Sequence, residues 1–254
     1  MSKGRRGIYI LPSMFTSGSL FSGFYSIIAA FKGHYEVAAT AILISCVFDM
    51  IDGKVARFTH TTSQFGAEYD SLSDLVAFGV APALLVYQWA LEPFGRLGWL
   101  ASFMFVICGA LRLARFNVQH SAVDPNYFKG LPIPGAASFI ACFILFASEM
   151  GFVTPAPTHI FIIVLIYVLS FLMVSNIRYP SFKEFEFKKQ RPFNMLVSSI
   201  LIFIVIAYKP KIILFFVLFL YIICGPVITA YRLKKLRSKP KIIKENKIPA
   251  VHEK

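Results

Sequence analysis

Apolar residues run in long blocks along almost the whole chain, separated by short polar or charged stretches. About twenty apolar residues are what a helix needs to cross the hydrocarbon core of a bilayer. On that measure the blocks predict eight transmembrane helices: Ile10–Phe31, Tyr35–Phe58, Gly66–Leu91, Leu97–Phe116, Pro134–Phe152, His159–Ile177, Phe193–Tyr208 and Ile212–Tyr231. The first is the weakest, because it carries Ser13, Thr16, Ser17, Ser19 and Ser22, and the seventh is short. The predicted fold is therefore all-α, a polytopic membrane helix bundle over residues 1–231 with a basic tail over 232–254. The apolar run after Arg5 and Arg6 continues without a small-residue cleavage site, so it reads as a first span and not as a cleaved signal peptide.

Composition agrees. Of 254 residues, 57% are apolar and 15% charged, against about 25% charged in a typical soluble domain. Disorder and a disulfide scaffold are excluded by the same figures. Cys46, Cys108, Cys142 and Cys224 each sit inside an apolar run without metal-ligand spacing, and read as small buried hydrophobes.

The net charge of +13 could point to nucleic acid, but its placement argues otherwise. With the N-terminus in the cytoplasm, only Lys32, Arg96, Lys209 and Lys211 of the 26 basic residues fall on the far side. That is the positive-inside pattern. It predicts a multi-pass protein of the cell (inner) membrane with both termini in the cytoplasm. The excess charge then serves orientation and attraction to anionic membrane lipids, with no nucleic-acid partner.

The stretch Asp49 to Asp74, DMIDGKVARFTHTTSQFGAEYDSLSD, places Asp49, Asp52, Asp70 and Asp74 in or beside two consecutive apolar helices. An acid near the centre of a spanning helix costs about 2.5–3.5 kcal/mol on insertion scales, so four of them require compensation. Asp49 and Asp52 are three residues apart and Asp70 and Asp74 four, so each pair shares a helix face. The polar THTTSQ segment between them reads as a tight connection. Folded about its middle, the hairpin brings both pairs to matching depth, about 14–20 Å from the turn. Gly53 and Gly66 flank the pairs and predict a close backbone approach.

Converging carboxylates without His or Cys make a hard, oxygen-only site suited to Mg²⁺ or Mn²⁺, with room in the chemistry for two ions and for phosphates. Arg57, one turn beyond Gly53, is placed to meet a phosphate at the same opening. A cation or proton pathway is the competing reading of intramembrane acids. It leaves unexplained why they gather beside Arg57 at one cytoplasmic mouth. His60 and His120 read as interfacial loop residues.

The pattern Asp49-x-x-Asp52-Gly53-x-x-Ala56-Arg57, eight residues, Gly66-x-x-x-Asp70-x-x-x-Asp74 resembles the complete signature of the CDP-alcohol phosphatidyltransferases. The resemblance implies a six-helix core, usually a homodimer, in which CDP-diacylglycerol binds at the cytoplasmic face and an alcohol displaces CMP. It implies Asp49, Asp52 and Asp70 as metal ligands, and Asp74 as both ligand and general base. Gly53, Ala56, Arg57, Ser63 and Gly66 would then form the CDP-diacylglycerol site. The family's first span carries Pro-Asn near its start, where this chain has Pro12-Ser13.

GALRLARFNV (Gly109 to Val118), YFKGLPIPGA (Tyr127 to Ala136) and NIRYPSFK (Asn176 to Lys183) are similar to segments of the family's phosphatidylserine synthase branch. That similarity implies L-serine as the acceptor. Serine carries a carboxylate that needs a cation. Arg112, Arg115 and Lys129, with Asn117, are the candidate serine-binding residues. Glycerol 3-phosphate or inositol phosphate would also want cations, so charge alone leaves the acceptor open.

Overall fold

A computed structural model describes residues 10–59, 63–118, 127–151, 160–180 and 208–237. These form seven helices: α1 (Ile10–Phe31), α2 (Tyr35–Phe58), α3 (Gln64–Phe94), α4 (Arg96–Val118), α5 (Ile133–Glu149), α6 (Ile160–Val174) and α7 (Pro210–Arg237). The expected eight becomes seven among the described residues. The predicted span Phe193–Tyr208 lies outside them except for Tyr208. Helix α7 continues past Tyr231 to Arg237, so helix and membrane span do not end together.

The helical expectation has one small correction. Strand β1 (Tyr127–Lys129) pairs antiparallel with β2 (Arg178–Pro180), with Phe128 opposite Tyr179. Tyr179 is fully buried, and its hydroxyl donates to the Ile222 carbonyl of α7. A Cβ on Gly225 would collide with that ring, so the glycine makes room for it. The ribbon thereby ties the segment after α6 to the last helix.

Helices α1, α3, α4 and α7 are each long and apolar enough to cross a membrane, while α5 and α6 are shorter apolar helices. Helix α2 has the length but carries Glu36, Asp49, Asp52, Lys54 and Arg57. Large apolar side chains such as Phe21, Phe24, Phe103, Phe171 and Leu220 are exposed around the bundle, which is what a lipid-facing surface requires.

Three of the polar residues that made α1 look weak, Thr16, Ser19 and Ser22, face inward, while Ser17 is exposed. Thr16, Ser19, Ser22 and Ser26 are all buried. Ser22 donates to the Ala41 carbonyl at 2.9 Å, Ser26 to the Ala38 carbonyl at 2.8 Å, and the Ser19 and Ser45 hydroxyls meet at 2.8 Å. Small residues let helices approach closely where lipid offers no hydrophobic drive, and the hydroxyls hold them there. On the neighbouring face, a Cβ on Gly23 would lie 2.6 Å from the Ala77 Cα of α3.

Helix α3 is not uniform. It is α-helical to Asp74, π-helical over Leu75–Val80, α-helical over Ala81–Val86, and π-helical again over Tyr87–Leu91 before a 3₁₀ turn. Each π segment ends just before a proline, with the preceding amide reaching five residues back: Ala81 to the Val76 carbonyl before Pro82, and Glu92 to the Tyr87 carbonyl before Pro93. A proline removes an amide donor and crowds the carbonyl four residues earlier. A wider turn relieves both. The first of these widened turns starts immediately after Asp74.

Candidate functional site

Helices α2 and α3 carry the four acids. Carboxylate oxygens of Asp49, Asp70 and Asp74 all lie within 4.8 Å of one another, and all three residues are partly buried. Asp49 and Asp74 are mirror positions about the turn, which is why the hairpin brings them together. Asp52 is outside this trio and more deeply buried, at 5% exposed. The Thr16 hydroxyl of α1 donates to its Oδ2 at 3.0 Å.

The donor set fits a divalent cation. Two carboxylates at that separation repel by about 3 kcal/mol at an effective dielectric constant of about 20. The ion pairs among the described residues, Lys211 with Glu36 and with Glu149, involve none of these aspartates. Three hard oxygen donors converging in an apolar bundle need a cation or protons between them, and they match the ligand preference of Mg²⁺ or Mn²⁺.

Around the trio, the other predicted residues separate. Ser63 caps the N-terminus of α3, accepting from the Gly66 amide at 3.0 Å, so the structure gives its hydroxyl a helix-capping duty. The close backbone approach expected at Gly53 and Gly66 is not what forms. Among the described residues, a Cβ on Gly53 would meet nothing within 4 Å, and one on Gly66 would meet only Ser63 Oγ at 3.1 Å. The helices are held together by α1, through Thr16 and Gly23, and not by contact at these glycines. Gly53 instead borders open space beside the acids. Ala56 is half-buried one turn beyond the acids, and Arg57 follows it in α2 with its side chain outside the described residues.

The two arginines of α4 part company. Arg115 donates to the carbonyls of Val174 (2.9 Å), Lys129 (3.1 Å), Met173 (3.3 Å) and Ser175 (3.4 Å). It caps the carbonyl end of α6 and fixes β1 against it, a use that consumes most of its donors. Gly130, at φ +80°, sits under this guanidinium where a Cβ would strike the Met173 carbonyl.

Arg112 is buried, its Nε has no hydrogen-bond partner among the described residues, and it interacts electrostatically with Arg115, Asp74 and Tyr221. A buried polar atom without a partner is uncommon and marks Arg112 off from Arg115. Asn117 donates to Ser71 Oγ at 3.0 Å, joining α4 to the turn between Asp70 and Asp74. Lys129 is exposed.

Sequence reasoning missed Thr16, Ser71 and Tyr221. Thr16, Ser19 and Ser22 recur every three residues, a one-face spacing that signalled a buried stripe in α1. Tyr221 left no comparable trace, because it reaches the site from the far end of the chain.

A family model described as CDP-alcohol phosphatidyltransferase matches residues 9–177, which takes in α1 to α6 entire. A protein of Helicobacter pylori named CDP-diacylglycerol–serine O-phosphatidyltransferase is 41% identical over 197 residues, covering 78% of this chain and 83% of the relative. A Bacillus subtilis protein of the same name is 35% identical over 174 residues, covering 68% of this chain and 92% of its own length. An archaetidylserine synthase of Methanothermobacter thermautotrophicus is 39% identical over 174 residues, covering 67% and 69% respectively.

Proposed function

Because the chain belongs to the CDP-alcohol phosphatidyltransferase family, we propose that it transfers the phosphatidyl group of CDP-diacylglycerol to the hydroxyl of L-serine, releasing CMP and forming phosphatidylserine. The observation that carries this reading is the Asp49–Asp70–Asp74 trio within 4.8 Å, with the unpartnered Nε of Arg112 buried near Asp74. The names of the relatives at 41% and 35% identity supply the acceptor.

In this reading Asp49, Asp52, Asp70 and Asp74 hold one or two Mg²⁺ or Mn²⁺ ions, which would neutralise the pyrophosphate and the charge developing on departing CMP. Gly53, Ala56 and Arg57 receive the cytidine diphosphate, Gly53 by leaving open space beside the acids. Ser63 and Gly66 contribute by setting the start of α3.

Arg112 receives the serine carboxylate and so presents the hydroxyl toward Asp74. Arg115 and Asn117 hold the walls of that pocket, and Lys129 adds positive charge at its rim. Asp74 takes the hydroxyl proton. The serine oxygen then forms its bond to the diacylglycerol-bearing phosphorus as the bond from that phosphorus to the CMP oxygen breaks. No covalent enzyme intermediate is required.

The lysine and arginine distribution supports placing the site and both termini on the cytoplasmic side of the cell membrane. The acyl chains would stay in lipid while the headgroup reacts, with residues 1–231 as the catalytic membrane domain and 232–254 as its basic tail. The working unit is a homodimer, as the family resemblance suggests.

Acceptor competition tests the assignment. Purified protein with CDP-diacylglycerol is offered L-serine, glycerol 3-phosphate and inositol phosphate together, and the lipid product is identified. Phosphatidylserine is the expected product; a phosphorylated glycerol or inositol lipid would retain the acid site and overturn Arg112 as a serine carboxylate receptor.

A further inference from the structure

We propose that Thr16 of α1 is a positioning residue of the cation site, acting through Asp52. The inference rests on reading the aspartates as cation ligands. Asp52 differs from the other three because it is the most enclosed and lies outside the close trio. Its Oδ2 accepts from the Thr16 hydroxyl at 3.0 Å in a buried contact.

That hydroxyl has one proton and two acceptors in reach, the other being the Pro12 carbonyl at 3.2 Å. The carboxylate is nearer, and a charged acceptor makes the stronger bond. That bond restrains the Asp52 rotamer from the α1 side, and the Gly53 amide is a second hydrogen-bond partner of the same carboxylate. Thr16 is β-branched and stiff at χ1, and it is only 5% exposed, so the donor is itself held in place.

The same residue reaches the other acid-bearing helix. The Ser73 hydroxyl, buried in α3 next to Asp74, donates to the Thr16 carbonyl at 3.1 Å. One residue of α1 therefore contacts Asp52 through its side chain and the Asp70–Asp74 turn through its backbone. It sets the relative position of the two halves of the acid set, which Gly53 and Gly66 do not do.

Mn²⁺ binding to the purified full-length protein in detergent, followed by electron paramagnetic resonance without substrates, tests this directly. Thr16→Val keeps the shape and removes the donor, and its Mn²⁺ dissociation constant should rise about 10-fold, the lower end for loss of an outer-sphere partner. Thr16→Ser keeps the donor and should retain most of the affinity. In an Asp52→Asn background, Thr16→Val should cause no further loss.

Unchanged Mn²⁺ binding by Thr16→Val would overturn the proposal. So would an equal loss with or without Asp52, or a wild-type protein that binds no Mn²⁺. If the binding shift appears but serine releases no CMP, Thr16 keeps its role and the proposed acceptor reaction fails.

Discussion

The two ends of α2 treat acidic residues in opposite ways. At its start, Glu36 meets Lys211 of α7 at 2.9 Å and accepts from Ser148, while Glu149 reaches the same lysine at 3.5 Å. About 20 Å along the helix, Asp49 faces Asp70 and Asp74 and no lysine or arginine of the described residues closes an ion pair with them. The first cluster is neutralised within the protein and clamps α2, α5 and α7. The second has no ion-pair partner among the described residues, so a bound cation or protons must offset the repulsion within it. Equal residue types thus do structural work at one end and are available for chemistry at the other.

Substitutions should separate the ends cleanly. Asp70→Asn is expected to reduce CMP release by at least about 100-fold, the scale of a lost charge-stabilising group at a reacting phosphate. The same change should raise the thermal midpoint of the metal-free protein, because it removes repulsion from the trio. A lower midpoint together with retained activity would reverse the contrast.

The arginines of α4 sharpen it further. Arg112→Gln should raise the KM for serine by about 10-fold or more while leaving the KM for CDP-diacylglycerol near its original value, as initial-rate kinetics would reveal. Arg115→Gln should instead lower stability by about 1–3 kcal/mol, because several carbonyls at the end of α6 lose their donor. Denaturation in detergent checks that figure. At the opposite end, Lys211→Ala should cost at most about 1 kcal/mol, since a half-exposed ion pair contributes little. It should leave turnover unaltered.

Much of this architecture could be read from the chain because lipid imposes strict lengths on apolar runs. The boundaries of α1 and α2, Ile10–Phe31 and Tyr35–Phe58, are those the hydrophobic pattern predicts. The mirrored spacing of Asp49 and Asp74 also carried their proximity, since a helical hairpin leaves few alternatives. What stayed hidden depends on distant partners. Arg115 and Arg112 share one local pattern, and only contacts with residues 14 to 60 positions away divide them into a clamp and a free donor.

The π turns of α3 were signalled by Pro82 and Pro93, but a proline also permits a kink or a break, so its consequence needs the packed helix. Gly53 misled for a related reason. Absence of a side chain allows either a close helix contact or an open space, and the structure has the open space.

The proposed role of the acids at one end of α2 and α3 is to support attack of serine on CDP-diacylglycerol. It is tested most directly by CMP release from purified protein with CDP-diacylglycerol and Mn²⁺ or Mg²⁺, with and without L-serine, for wild type and Asp74→Asn. Release should require serine and disappear in the variant. Release that is independent of serine, or that survives Asp74→Asn, would contradict it.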